Sequence, residues 1–361
     1  MDHTEIKLIA FHLPQYHTFK ENDEWWGEGF TEWVNVKKAT PLYKNHNQPR
    51  VPLNDYYYNM LDEKTMHWQS ELLETYGLYG FCYYHYWFDG HLLMERPVEQ
   101  LLENKDIKQN YCFCWANEPW TRAWDGAQQD VLMPQSYGGE KEWEEHFQYL
   151  LPFFQDSRYI KVSNCPLFVL YRTESITDCD RMIDYWDKKC KENGFDGIHI
   201  VEEMNSFQSK GICKNSKGVL EFEPVYTMQY GRNVFQKAKD KIVKTIFDFL
   251  HGSNMRLYSY DTIWKDILKR KRSKDGIKER YLGAFVDWDN TARKGKKGAV
   301  FYGVSVKKFG KYFAKQIEIA KEEKSRFVFI NAWNEWAEGT YLEPDTKNGN
   351  GYLQEIKNVI K

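Results

Sequence analysis

The chain has 361 residues, with 50 Lys and Arg against 52 Asp and Glu, and 17% of it is Phe, Trp or Tyr. Balanced charge argues against nucleic acid or a strongly acidic surface as the main partner, and no stretch approaches the roughly 20 consecutive apolar residues of a spanning helix. The seven cysteines sit in runs such as YCFCWAN and read as buried free thiols. With no secretory leader in MDHTEIKLIAFHLPQYH, the expected setting is cytoplasmic.

Eight short apolar runs follow in order: 7–13, 78–86, 111–118, 166–172, 197–203, 218–224, 281–288 and 326–333. Most are near-continuously apolar, as strands buried on both faces of a parallel sheet must be. Amphipathic stretches precede several of them, at 63–77, 179–194 and 305–324. Strands alternating with helices predict βαβ units, and eight of them predict a (β/α)8 TIM barrel formed as one domain over 1–361. No G-x-G-x-x-G follows the first run, which removes the usual dinucleotide fingerprint. Residues 19–66, rich in Trp, Tyr, Asn and Pro, form a long connection after the first strand, placed over the barrel mouth. Residues 232–280 are expected as a helical insertion between strands 6 and 7, with 14 Lys and Arg against 6 Asp and Glu. Its run KRKRSK at 269–274 suggests peripheral contact with an anionic membrane or a lipid-linked glycan.

Polar and aromatic residues gather at the C-terminal ends of these strands, where barrel enzymes keep their chemistry. The candidates are Tyr16 after strand 1, His85 and Tyr86 on strand 2, and Asn117, Glu118, Trp120, Trp124 and Asp125 after strand 3. Asp287 follows strand 7, and Asn334, Glu335, Trp336 and Glu338 follow strand 8. Glycosidic bond chemistry needs two carboxyl groups, and sugar faces stack on aromatic rings. Glu335 and Glu338 would face opposite sides in a continuing strand. If the strand ends near Trp333 and the chain turns, they share one side. Asn117-Glu118-Pro119 resembles the acid/base triplet of many retaining glycosidases, but that triplet belongs on the fourth strand. Glu118 is therefore read as a substrate-binding or charge-tuning group. Asp287-Trp288-Asp289 is a bare D-x-D, too short a pattern to assign a metal, and no cofactor is expected.

Four long motifs, WGEGFTEWVNVKKATPLYKNHNQPRVP, GFCYYHYWFDG, CWANEPWTRAWDG and NAWNEWAEGTYLEP, together resemble the WbsX glycosyltransferase family, associated with bacterial surface polysaccharide. NEWAEGTYLEP also resembles the catalytic segment of glycoside hydrolase family 99, the endo-α-mannosidases. That resemblance implies a barrel and a retaining reaction through a 1,2-anhydro sugar. Glu335 would be the base on the 2-hydroxyl and Glu338 the general acid. The expected activity is therefore glycosidase- or transglycosylase-type chemistry on a polysaccharide or oligosaccharide, free or lipid-linked. Nucleotide-sugar or lipid-linked-sugar transfer in O-antigen or capsule synthesis remains the alternative. A non-catalytic sugar-binding barrel would leave the glutamate pair without a role.

Overall fold

A computed structural model describes residues 5–122, 127–252, 254–272 and 278–361. Eight parallel strands close into a barrel: β1 (Lys7–His12), β2 (Gly80–Phe88), β3 (Asn110–Trp115), β4 (Cys165–Leu170), β5 (His199–Met204), β6 (Gly218–Glu221), β7 (Glu279–Phe285) and β8 (Phe327–Asn331). Each expected run supplies one strand. Closure comes from β1, which pairs with β2 (Ile9 opposite Gly80) and with β8 (Lys7 opposite Phe327). The barrel is filled by side chains: the Phe11 ring lies 5.0 Å from Phe222, 5.5 Å from Tyr84 and 5.7 Å from Phe329. Gly283 has a packing reason, since a Cβ there would sit 1.8 Å from the Glu221 carbonyl oxygen.

The helices stop and start where local chemistry dictates. Asp62 caps Glu63–Tyr76 by accepting from the Lys64 N–H, and Gly77 ends it at φ 76°. Ser305 caps Val306–Glu322 in the same way. Cys179–Glu192 buries Met182, Ile183 and Trp186 on one face. After β5 the plan departs from strict alternation, because a loop replaces the helix. Glu202 organises that loop, accepting from the N–H groups of Ile212 and Cys213, from Ser216 and from Lys278.

The long connection after β1 carries two short helices, Lys20–Trp26 and Glu32–Lys38, and reaches across to the loops after β7 and β8. There Trp33 donates to the Tyr58 carbonyl and packs 5.5 Å from Trp336.

The segment expected as an insertion divides in two. Tyr260–Lys269 belongs to the barrel layer, its Trp264 stacking on Phe285 at 5.1 Å and on Tyr312 at 5.8 Å. Val234–His251 is the true addition, and Glu279 and Arg280 already belong to β7. The basic run at 269–274 is revised as well. Arg270 pairs with Glu221 and Glu223, each at 2.6 Å, and Arg272 pairs with Glu221 at 2.9 Å. Buried carboxylates need such partners, so the arginines serve the fold and leave Lys269 and Lys271 exposed; Ser273 and Lys274 lie outside the described residues. Among the described residues no helix is long and apolar enough to cross a membrane. All seven cysteines are free thiols; Cys165 is half-buried and the others are buried.

Candidate active site

The chain leaves β8 at Asn331 and turns back on itself at once. Asn334–Glu335 pairs antiparallel with Thr340–Tyr341, and Trp336–Glu338 forms a single 3₁₀ turn between them. Residues three apart eclipse in a 3₁₀ turn, so Glu335 and Glu338 come to one side. Gly339 closes the turn at φ 67°, and the Asp289 N–H donates to the Glu338 carbonyl at 2.7 Å.

Beneath the turn lies an aromatic and amide pedestal. Trp336 stacks on Tyr341 with ring centres 3.8 Å apart and donates to Glu343 at 2.7 Å. Asn334 clamps the turn to β1, accepting from the Leu13 N–H at 2.8 Å and donating to its carbonyl at 3.0 Å. The Tyr16 hydroxyl donates to the Asn334 carbonyl and accepts from the Trp336 N–H. Tyr16, Asn334 and Trp336, expected against substrate, therefore hold the turn from behind.

Glu335 and Glu338 open into a cavity of about 290 Å³ at the C-terminal mouth of the barrel. Tyr84, Phe222 and Asn331 line its inner end, while Tyr86, Glu118, Trp120, Tyr171 and Trp288 form walls. Of the candidates, Tyr86, Glu118 and Trp120 line this cavity with the glutamate pair. His85 does not. Side chains alternate along a strand, and with Tyr84 and Tyr86 facing the cavity, His85 faces the outer helices. There it shares a 2.8 Å hydrogen bond with His146. Asn117 is also structural, accepting from the Arg172 N–H and donating to the Arg172 carbonyl. Trp124 and Asp125 lie outside the described residues.

The D-x-D segment shows the same parity. Trp288 lines the cavity, whereas Asp287 pairs with Arg50 at 2.9 Å and Asp289 accepts from His46 at 2.9 Å and Gln48 at 3.0 Å. Among the described residues no group of three or more His, Cys, Asp and Glu is arranged to hold a metal.

Sequence reasoning missed Arg293, which ties the pair together. Its guanidinium donates to Glu338 at 2.6 Å, to Glu335 at 3.3 Å and to both oxygens of Glu32 at 3.0 and 3.1 Å. Burial opposes the arginine's charge, yet Glu32, Glu338 and Glu335 hold its pKa well above the ordinary value. The two candidate carboxyls are unlike. Glu335 is the deeper, its side chain 9% exposed against 24% for Glu338. Burial pushes Glu335 up to about 8; Arg293 opposes the rise, and the charges of Glu338 and Glu32 add to it.

Glu343, in the pedestal, is raised by burial to about 7 against hydrogen bonds from Trp336, Gln69 and Tyr58. A carboxyl that titrates near 7 folded but at 4.5 unfolded binds more protons in the folded chain between those values. Its contribution to stability is therefore full below 4.5, falls as pH rises and is lost above about 7. Glu343→Gln should flatten this: the unfolding free energy of the native protein relative to the variant is expected to drop between those limits, by a span on the order of 3 kcal/mol. A pH-independent difference would refute it.

The fold is a closed eight-stranded parallel barrel with its helices outside. Two solved structures share it: an endo-α-mannosidase of glycoside hydrolase family 99 from Bacteroides thetaiotaomicron (TM-score 0.59, 13% identity, covering 98% of this chain and 96% of that one) and a glycoside hydrolase-like protein (TM-score 0.61, 12% identity, covering 99% and 94%). The chain belongs to the glycosyltransferase WbsX family, whose model matches residues 8–356. Among curated relatives, the uncharacterized protein WxcX of Xanthomonas campestris pv. campestris strain B100 is 32% identical over 356 residues. The chain spans about half the length of that relative, 49%, while 98% of the chain is covered.

Proposed function

We propose that the protein is a carbohydrate-active enzyme that cleaves or transfers a glycosidic bond of an oligosaccharide or polysaccharide with retention of configuration. The observation that supports it best is the placing of Glu335 and Glu338 together in the lining of a cavity that Tyr86, Glu118, Trp120, Tyr171 and Trp288 also line. Glu335, the deeper, takes the proton of the sugar 2-hydroxyl, and O2 closes on the anomeric carbon. The leaving oxygen departs with the proton of Glu338, the carboxyl nearer solvent. Water or an acceptor hydroxyl then opens the 1,2-anhydro sugar. It gives its proton to Glu338, and O2 recovers the proton held by Glu335. Raised basicity suits a group that must deprotonate a hydroxyl, because base strength enters the rate.

The family description favours a second reading, transfer from an activated sugar donor. A departing diphosphate needs cationic stabilisation. Two guanidinium groups at the mouth already serve carboxylates: Arg293 bonds three of them, and Arg172 bonds Glu118 and Glu174. That arrangement supports acid–base chemistry on an alkoxide leaving group over diphosphate departure.

The test is to incubate the protein with α-linked aryl glycosides, aryl α-mannosides first, and with oligosaccharides, with and without nucleotide sugars, following products by mass. Turnover without a nucleotide sugar is expected, and turnover only with one would establish the second reading. On an activated aryl glycoside kcat/KM should climb as pH rises through about 8, where Glu335 loses its proton. A fall through that range would exchange the two roles.

A further inference from the structure

We infer that the helix Val234–His251 lies on the surface of an anionic lipid bilayer, with its outward face in the headgroup region. A capping box of Asn233 and Gln236 starts this helix, and one face is already occupied. Val243 and Phe247 pack towards Leu42 and Tyr43 of the mouth connection and towards Met255, Leu257 and Val300.

A different face carries Phe235, Ile242, Ile246 and Phe249, whose spacings of seven, four and three place them in one stripe. Phe235 is 86% exposed, Phe249 88%, Ile242 61% and Ile246 56%. An unpartnered stripe of this size marks an interaction surface.

Charge identifies the partner. Lys239 and Lys241 lie on the two sides of the stripe and are exposed. The two acidic residues of the helix are already engaged, Asp240 by Arg232 and Asp248 by Lys244 at 2.6 Å. The face therefore presents positive charge around apolar side chains. It is the convex side of a single helix, with no groove of its own for a partner chain. A bilayer with acidic headgroups meets both features at once: the rings enter the acyl boundary, and the lysines reach back to phosphate. This inference is independent of the reaction proposed above and of the basic run at 269–274.

Flotation tests it, using the full chain with vesicles of phosphatidylcholine alone or mixed with phosphatidylglycerol. The native protein should float with the mixed vesicles at low salt and much less with phosphatidylcholine alone. Phe235→Ser with Phe249→Ser should cut the bound fraction about tenfold or more, since apolar burial is lost. Lys239→Gln with Lys241→Gln should do the same and weaken the salt dependence. These positions are exposed, so circular dichroism should be unchanged. The inference is overturned if the native protein stays with the dense fraction or if the phenylalanine variant floats like the native chain. It is also overturned if the native chain does not float and sediments as a dimer that the phenylalanine variant dissociates; a second copy would then cover the stripe.

Discussion

Glu335→Gln should lose activity by ~10²–10⁴-fold on every glycoside the native protein turns over, because proton abstraction from the 2-hydroxyl is needed whatever the leaving group. Glu338→Gln should divide the substrates. A sugar alkoxide leaves poorly and needs a proton, so loss of the acid costs a similar factor there. An activated aryl group leaves unaided, and the variant should retain most of its kcat/KM on it. Both carboxamides keep the donor–acceptor shape of a carboxyl, so Arg293 retains an acceptor at each position and KM should change little. The informative measurement is kcat/KM plotted against leaving-group pKa: steep for Glu338→Gln, and uniformly low for Glu335→Gln. Near-native turnover of Glu335→Gln on all substrates would remove it from the chemistry. The cavity would then leave Glu118, paired with Arg172 at 3.3 Å, as the next carboxylate to test.

Arg293→Met should be the most destabilising single change at the site. The native guanidinium is buried and serves Glu32, Glu335 and Glu338 together. Removing it leaves carboxylates in a desolvated wall with no cation. Breaking a buried pair in this way costs ~3–5 kcal/mol, far more than an exposed pair would. In a chain of this size that is a fall in melting temperature on the order of 4–7 °C. Adding Glu32→Gln should recover part of the loss, since Glu32 then no longer needs a countercharge. The arginine also opposes the rise in the Glu335 pKa. Arg293→Lys, which keeps the charge but not the planar fork, should fold and should move the pH–rate profile. Calorimetry of the three variants decides: stability of Arg293→Met within ~1 kcal/mol of native would mean the network is not structural.

The eight strands were legible in the sequence because most are buried on both faces and so read as near-continuous apolar runs. The helices Glu63–Tyr76, Cys179–Glu192 and Val306–Glu322 were legible from their amphipathic patterning and their stops. Glu335 and Glu338 were legible as a pair for a local reason: the three-residue spacing and the turn that makes it useful lie within one short segment. The D-x-D at 287–289 was also local, but its two carboxylates go to Arg50 and His46, partners over two hundred positions away.

What the tertiary structure alone decided falls into two kinds. One is parity. In a strand that is apolar on both sides, hydropathy does not say which residues face the barrel. His85 and Tyr86 were therefore equivalent in the sequence until the closed sheet sent one to the outer helices and the other to the cavity. The other is counterion choice. Arg293 meets Glu335 across 42 positions and Glu32 across 261. Arg270 and Arg272, which look like a solvent-facing basic run, are taken up by Glu221 and Glu223 about fifty positions earlier. Local patterning follows from a residue's neighbours in the chain, so the sequence by itself determined the barrel and the place of its carboxylate pair. Facing and charge pairing follow from neighbours in space, which exist only once β1 has closed on β8.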